Sequence, residues 1–341
     1  MGEAVTSRRA PMPLLSAMAA TLLFAAIAHL SWAPSGPGFS DVLAALFGDG
    51  DALDRQIVLQ LRLPRLLVAV FGGASLGLAG TVMQASFRNP LASPDVVGTA
   101  AGSAFGGAVA IAAGYAASSV FAAPVAALFS AVLVTTLVFA FAGTGPRFSV
   151  AGLLLAGVAL NTLVGALTTF VVTFTVDNYS ASSSVLFWLM GGLDAQDWSK
   201  AAITLGGFCA FGLPLAVRSR QLDLLTLSEE SAWSLGLDVV NARRWLLWFA
   251  CGLTAATVAN TGGITFLGLV VPHLARLLVG PAHRVLLPAS ALLGAVVLLL
   301  ADLLCRGLPI ANLRLGVVTS LLGAPYFLYL LARHRRGEAM R

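Results

Sequence analysis

The chain has 341 residues, of which 58% are hydrophobic and 10% are charged, and its formal net charge is +5. Soluble domains carry about 25% charged and about 45–50% apolar residues, so this composition excludes an ordinary water-soluble enzyme. The apolar runs are continuous and about twice as long as the ten-residue alternating segments of a membrane β-barrel. The sequence therefore predicts an all-α integral membrane protein.

Ten apolar stretches are long enough to be membrane spans. The first follows an arginine pair, as in a signal peptide, but it is longer than the apolar region of a usual signal peptide and is assigned as a retained helix. The predicted spans are 14–33, 65–84, 95–114, 120–142, 150–173, 200–217, 245–259, 264–279, 285–304 and 315–332.

The stretch 245–279 can be read as one long helix or as two short helices separated by the segment 260–263. Two helices place most Arg and Lys residues at the cytoplasmic side together with both termini, whereas one helix divides these residues evenly between the two sides. Because cytoplasmic loops are enriched in Lys and Arg, two helices are favoured. We expect ten transmembrane helices in one permease domain over residues 1–341, with both termini cytoplasmic.

The longest polar stretch between spans is the predicted cytoplasmic loop 218–244. Thr226 followed by Glu229 fits a capping box, and Glu229 and Glu230 fall in the first turn, where a helix favours negative charge. Gly236 is expected to end this short helix. The loop is therefore predicted to form a helical knob, with a solvated connector as the alternative. Two large apolar side chains of the knob are available to a partner: Trp233 and Leu235.

Four arginines lie on the predicted outer side, against the tendency of cations to stay inside. They could dock an acidic partner or ligand, or they could reach to lipid phosphates. These residues are Arg62, Arg65, Arg306 and Arg314.

Two weakly polar stripes run along predicted spans at helical spacing. They suit the lining of a wide path that a solute crosses without tight binding, and close packing by small residues is the alternative. The fifth-span stripe is Asn161, Gly165, Thr169 and Thr173, and the tenth-span stripe is Gly316, Thr319, Gly323 and Tyr326.

Several functions lack their usual residues. The single Lys200 is not part of a phosphate-binding loop, so no ATPase is expected in this chain. Asp302 sits at a span end with Arg306 one turn on, and no acidic residue is expected at midplane, which argues against coupling to a proton or sodium gradient. The four His residues are dispersed, and the arginines form no basic tract, so catalysis, a metal site and nucleic-acid binding are not predicted.

Six segments in order resemble the FecCD-type permeases, the membrane subunits of ATP-binding cassette importers for ferric siderophores, haem or cobalamin. The resemblance extends over about residues 55–332 and implies the type II ABC importer permease fold. Within it, five residues read as structural motif positions: Asn89, Pro90, Pro272, His273 and Arg276. The segments are Arg62-Leu63-Pro64-Arg65, Gly80-Thr81-Val82-Met83-Gln84, Arg88-Asn89-Pro90-Leu91-Ala92-Ser93-Pro94-Asp95 with Gly98, Glu230 to Gly236, Gly268-Leu269-Val270-Val271-Pro272-His273, and Gly323-Ala324-Pro325.

The resemblance implies a bacterial inner-membrane permease that pairs with a second permease, the same chain or a related one. It also implies two ATPase subunits that bind ATP and Mg²⁺ and a periplasmic substrate-binding protein, with no cofactor on this chain. Glu229 to Gly236 would be the coupling helix, Arg62, Arg65 and Arg306 would meet acidic residues of the binding protein, and the two polar stripes would line the path.

One departure concerns the segment Asn312-Leu313-Arg314, where the family often has Glu-Leu-Pro. The additional cation Arg314 favours an anionic ferric siderophore over cobalamin as cargo, while haem remains open. A gradient-driven secondary transporter and a non-transporting membrane scaffold remain as alternatives.

Overall fold

The computed structural model describes residues 11–32, 36–48, 50–143, 148–308 and 313–338, and these residues form helices and connecting loops without a strand. Asn312 lies outside the described residues. The helices are α1 (Pro11–Ser31), α2 (Phe39–Phe47), α3 (Ala52–Phe87), α4 (Thr99–Ala112), α5 (Ala122–Phe141), α6 (Val150–Phe174), α7 (Tyr179–Met190), α8 (Trp198–Ala216), α9 (Ser219–Leu225), α10 (Glu229–Ser234), α11 (Val239–Thr261), α12 (Leu267–Val279), α13 (His283–Gly307) and α14 (Leu315–Glu338).

Each predicted span coincides with a helix. Six helices are long and apolar enough to cross a membrane, namely α1, α3, α5, α6, α8 and α13. In the described residues α4 and α12 are shorter apolar helices, and α14 contains a shorter apolar segment, Leu315–Tyr329. α11 has 23 residues and is mostly buried among its neighbours. The protein is thus an all-helical membrane bundle.

Helix α3 begins well before the predicted start at residue 65. Its segment Ile57–Arg62 is π-helical, and the amide of Leu63 donates to the carbonyl of Val58, five residues back. Pro64 follows directly and has no amide to donate, so the wider turn lets the helix continue through the proline. A second π segment, Phe208–Gly212, precedes Pro214 in α8 in the same way.

Glycines allow α3 to approach its neighbours at backbone distance. A Cβ added at Gly73 would lie 2.3 Å from the carbonyl oxygen of Gly294 in α13, and one at Gly80 would lie 1.7 Å from that of Gly268 in α12. Small residues favour such helix contacts in lipid, where no hydrophobic force drives helices together. These glycines therefore allow close helix packing in the centre of the bundle.

The helix is interrupted between α11 and α12, so the stretch 245–279 forms two helices. Gly262 has φ +67° and Phe266 has φ +63°, and this left-handed backbone cannot continue an α-helix. The segment that follows α7 packs against this interruption: the amide of Gly192 donates a hydrogen bond to the carbonyl of Thr261 at 2.7 Å. Two interruptions of the chain therefore meet inside the bundle.

Three helices were absent from the sequence predictions because they are too short to span a membrane. They are α2, with nine residues, α7, with twelve, and α9, with seven. Asn178 caps α7, and Trp188 fixes it against α4, where a Cβ at Gly107 would lie 2.1 Å from the indole ring.

Candidate functional site

Ionised side chains gather at the predicted outer end of the bundle. Asp302 in α13 is 1% exposed and receives two hydrogen bonds from Arg65 of α3, at 2.9 and 2.7 Å. His29 of α1 lies 2.8 Å from the same carboxylate, and Arg306 lies 3.4 Å from it. A buried carboxylate needs such partners because its desolvation is costly. We call six residues the outer charge cluster: His29, Arg65, Asp194, Asp302, Arg306 and Arg314.

Asp194 forms the exposed edge of this cluster. Its carboxylate accepts from Arg314 and lies 3.5 Å from Arg65, and its side chain is 59% exposed. The guanidinium of Arg314 also stacks 3.9 Å from the ring centre of Phe187. A cavity of about 290 Å³ lies among Arg65, Asp194, Arg306 and Arg314. Three of the four arginines predicted to meet a partner, Arg65, Arg306 and Arg314, are therefore compensated inside the chain, and Asp194 is the exposed acid among their partners.

Arg62 is placed differently from the other three arginines. It is 6% exposed, and its guanidinium donates to the carbonyls of Leu30, at the end of α1, and of Pro37, just before α2. A guanidinium so buried cannot reach a partner surface without leaving these bonds. Arg62 therefore stabilises the connection between α1 and α2 through these two hydrogen bonds.

The predicted knob forms at the opposite end of the bundle. Helix α10 begins at Glu229, and its first turn carries Glu229 and Glu230 as expected. The capping prediction was wrong in its residue: Ser228 accepts from the amide of Ser231, whereas the Thr226 hydroxyl donates to the carbonyl of Asp223. A serine directly before the first helical residue is closer to the free amides than Thr226 is. Gly236 follows the helix with φ +83°.

Three contacts tie the knob region to long helices. Glu229 accepts from Arg243 of α11 at 2.8 Å. Arg88, at the end of α3, donates to the carbonyl of Leu225 at 2.9 Å. Asp223 accepts from the amide of His283, the first residue of α13, at 2.9 Å. A displacement of the knob would thus pull on α3, α11 and α13 together.

The knob turns a small surface to solvent. Ala232 is fully buried beneath it, while Trp233 is 76% exposed, and Leu235 and Glu230 are also exposed. An exposed tryptophan beside an exposed leucine is typical of a protein contact rather than of a solvated connector. The described geometry suits a knob that inserts into a partner groove.

The two polar stripes differ in their surroundings. On α6, Gly165, Thr169 and Thr173 are exposed, and a Cβ at Gly165 would meet nothing within 4 Å. Asn161 instead donates to the carbonyl of Asp95 at 2.9 Å and fixes the loop before α4. The open part of the α6 stripe is available to line a path.

The α14 stripe packs inside the chain. A Cβ at Gly316 would lie 2.2 Å from the carbonyl oxygen of Met190, and one at Gly323 would lie 2.3 Å from Phe266. Thr319 is buried, and the ring of Tyr326 stands 6.3 Å from that of His273. The small residues of α14 therefore serve close packing, the alternative considered for this pattern, and other residues of α14 form its exposed face. These are Val317, Leu321, Leu322 and Leu328.

The remaining motif positions have structural contacts. Asn89 accepts from the amide of Leu91 and shapes the loop after α3, where Pro90 is exposed. Pro272 lies inside α12, which continues through it. Arg276 donates to Gln84 of α3 at 3.0 Å.

Sequence reasoning missed several residues of these sites. Asp302 was noted as a span-end residue, and its pairing with His29 across the bundle was not expected. Asp194 and Arg243 were not singled out at all. A charge inside or beside an apolar run requires a partner, and this requirement was the signal that could have pointed to Arg243.

Comparison with known proteins gives a consistent family assignment. The sequence model of the FecCD transport family matches residues 21–333. The cobalamin import system permease of Halobacterium salinarum is 37% identical over 345 residues, covering 99% of this chain and 92% of that protein. The Fe(3+) dicitrate transport system permease of Escherichia coli is 40% identical over 283 residues, covering 82% of this chain and 86% of that protein.

A solved structure has the same architecture. It is described as a metal-chelate type ABC transporter in an inward-facing conformation, and it matches with a TM-score of 0.84 at 33% identity. The match covers 94% of this chain and 99% of that one.

Proposed function

The chain belongs to the FecCD transport family and is the permease subunit of an ABC importer, and from this premise we propose that it imports an iron chelate of the ferric siderophore class. It is a multi-pass protein of the inner membrane, and ATP is hydrolysed in a separate subunit. Transport by this chain thus depends on how a partner moves its helices.

We propose ten crossings with both termini cytoplasmic, an orientation that the distribution of Arg and Lys residues along the sequence favours. The crossings would be α1, α3, α4, α5, α6, α8, α11, α12, α13 and α14. Helices α4 and α12, with 14 and 13 residues, are too short for an isolated span but are surrounded by protein, where non-helical backbone is tolerated at membrane depth. This topology places the knob inside and the outer charge cluster outside.

The single observation that carries the mechanism is the knob: an exposed Trp233 on a short helix joined to α11 by the Glu229 to Arg243 pair. We propose that two ATPase subunits grip the knobs of two paired permeases and rock them between outward-open and inward-open states. A periplasmic binding protein delivers the cargo at the outer charge cluster, and the path runs along the open face of α6.

The chelate class rests on the relatives. The Escherichia coli relative is named for ferric dicitrate and the solved relative for metal chelates, whereas the Halobacterium relative is named for cobalamin. Arg314 adds no support for an anionic cargo, because Asp194 compensates its charge. Haem and cobalamin therefore remain the alternative cargoes.

The test is reconstituted uptake. The permease, its ATPase subunits and its binding protein are placed in liposomes, and radioactive iron is followed with a panel of ferric siderophores, haem and labelled cobalamin. We expect uptake of a ferric siderophore that requires ATP and the binding protein. Uptake that survives ATP depletion but stops with an uncoupler would establish the gradient-driven alternative. ATP-dependent uptake of cobalamin alone would overturn the cargo and leave the mechanism standing.

A further inference from the structure

Helix α2, in the connection between α1 and α3, has an exposed apolar face. On one side Val42 and Ala45 are buried against Leu30 of α1 and Val58 of α3. Among the described residues, nothing covers the neighbouring side, where four large apolar side chains remain exposed. These are Phe39 at 55%, Leu43 at 39%, Leu46 at 42% and Phe47 at 80% exposed.

The exposed apolar residues form one continuous stripe. At about 100° per residue, Phe39, Leu43, Leu46 and Phe47 fall within an arc of about 100°, next to the buried edge of the helix. Asp41 lies about 170° from the centre of this arc, on the other side of the helix, and is exposed, while Ser40 is exposed at the edge of the arc beside Phe47. This division into one apolar and one polar face is the pattern of a helix that lies in a membrane interface.

The position of α2 along the bundle agrees with a location in the membrane interface. Helix α1 has 21 residues, which at 1.5 Å per residue gives about 31 Å, close to the thickness of the hydrocarbon core. Leu30, which contacts α2, belongs to the last turn of α1. The buried Arg62 joins the carbonyls of Leu30 and Pro37, so the start of α2 is held at the end of the span.

The apolar face also continues a surface that already faces lipid. Helix α1 is little buried in the bundle, and Leu23, Phe24 and Ile27 are exposed along it. Trp32, one residue past its end, is 49% exposed. Tryptophan at a helix end is typical of the membrane–water boundary. An apolar surface therefore leads along α1 to the level of α2.

We propose that α2 is an interfacial anchor that lies in the outer leaflet, with Phe39, Leu43, Leu46 and Phe47 among lipid chains and Asp41 toward water. The partner of this surface is bilayer lipid. The anchor fixes the depth of the connection that Arg62 holds, and so fixes the outer ends of α1 and α3 relative to the membrane. This role does not depend on the cargo.

The test measures depth at two positions of the same helix. Single variants Phe47→Cys and Asp41→Cys are made in the full chain with Cys209 and Cys305 replaced by Ala, labelled with a nitroxide and placed in lipid nanodiscs. Collision rates with oxygen, which prefers lipid, and with a water-soluble nickel chelate are then compared. We expect the oxygen-to-nickel ratio to be at least several-fold higher at position 47 than at position 41.

Three results would overturn the proposal. Equal ratios at both positions would place the apolar face in water. Nickel access at position 47 that disappears only when the binding protein is added would make this face a protein-docking surface. Strong dipolar coupling between two labels at position 47 would place a second copy of the chain there. Thermal unfolding of both labelled variants in detergent verifies that each is folded.

Discussion

Arg65 of α3 donates two hydrogen bonds to the carboxylate of Asp302 in α13, across 237 residues of sequence. The pair joins the outer ends of two helices that touch backbone to backbone at Gly73 and Gly294. At the opposite ends of the same helices, Arg88 and His283 contact α9, the short helix that precedes the knob. The α3 and α13 pair therefore links both ends of the protein.

The first prediction concerns the stability of this link. Asp302→Asn would leave Arg65 and Arg306 without their buried counter-charge, and removing one partner of a buried ion pair costs about 3–5 kcal/mol. Thermal unfolding in detergent should show a large loss of stability. The double variant Arg65→Met with Asp302→Leu should regain part of it, since it leaves no unpaired charge at that contact. A double variant as unstable as the sum of the single variants would contradict the assigned pairing.

The second prediction concerns Asp194 as an internal competitor for the binding protein. Asp194→Asn should free Arg65 and Arg314 for carboxylates of that protein and increase its affinity, on the order of threefold to tenfold at low salt, with a smaller gain at high salt. Surface plasmon resonance on the nanodisc-embedded permease measures this affinity. Asp177→Asn removes the same charge from an exposed site that lacks these arginines. An equal gain in affinity for both variants would mean that the change in net charge, and not the release of Arg65 and Arg314, causes the effect.

The third prediction concerns coupling through the knob. Trp233→Ala should separate ATP hydrolysis from uptake, because it removes the largest exposed side chain of the knob. Arg243→Met should act in the same way by releasing Glu229 from α11. The readout is the ratio of transported cargo to hydrolysed ATP in proteoliposomes. Trp245→Ala, which removes an exposed tryptophan outside the knob, is the matched control. A normal ratio in both knob variants would remove the knob from the mechanism.

The fourth prediction concerns pH. Burial raises the pKa of Asp95 to about 6 from its ordinary value of 3.8, although Ser93 donates to the carboxylate. The folded chain therefore holds this proton more tightly than the unfolded chain, so the carboxylate lowers stability as pH rises from about 4 to about 6, by on the order of 2 kcal/mol. Asp95→Asn should gain stability over the parent as pH increases from 4.5 to 7.5, measured by thermal unfolding.

The control for the pH prediction is Asp238→Asn. A hydrogen bond from the Asn241 amide holds the pKa of Asp238 below its usual range, so Asp238 stays ionised between pH 4.5 and 7.5. The stability difference between that variant and the parent should not change over this interval. A flat difference for Asp95→Asn as well would contradict the raised pKa of Asp95.

The fifth prediction concerns helix contact. Gly80→Ala would place a methyl group into the carbonyl of Gly268, and forced overpacking costs about 1–3 kcal/mol or more. Gly206→Ala adds the same group where nothing lies within 4 Å and should be neutral or stabilising by up to about 1 kcal/mol. Unfolding temperatures of the two variants in detergent provide the comparison. Similar temperatures would mean that α3 and α12 can separate without cost.

The positions of the long helices could be predicted because the signal for each of them, a long run of apolar residues, is local in the sequence. A run of apolar residues must satisfy its backbone hydrogen bonds within the segment when it enters lipid. The short helices α2 and α7 could not be found in this way, since nine or twelve residues fall below the length of a span. The start of α3 was missed because Pro64 signals a helix start, while the structure passes it with a π segment.

The candidate sites were predicted less completely. The knob followed from local signals, with Glu229 and Glu230 in a first turn and Gly236 after it, although Ser228 and not Thr226 caps the helix. The outer arginines were recognised, but their partners were not. The stripe on α14 looked like that on α6, and only its packing against Met190 and Phe266 separates the two.

From the sequence alone a helical membrane protein could be predicted and, through the resemblance to the FecCD-type permeases, a permease whose ATPase is a separate subunit, because apolar spans and short motifs are local properties of the chain. The tertiary structure alone decided which charges are satisfied and which faces remain open. Asp302 contacts His29 and Arg65 only because α1, α3 and α13 pack side by side. The separation of these residues along the sequence does not indicate that they are close in space.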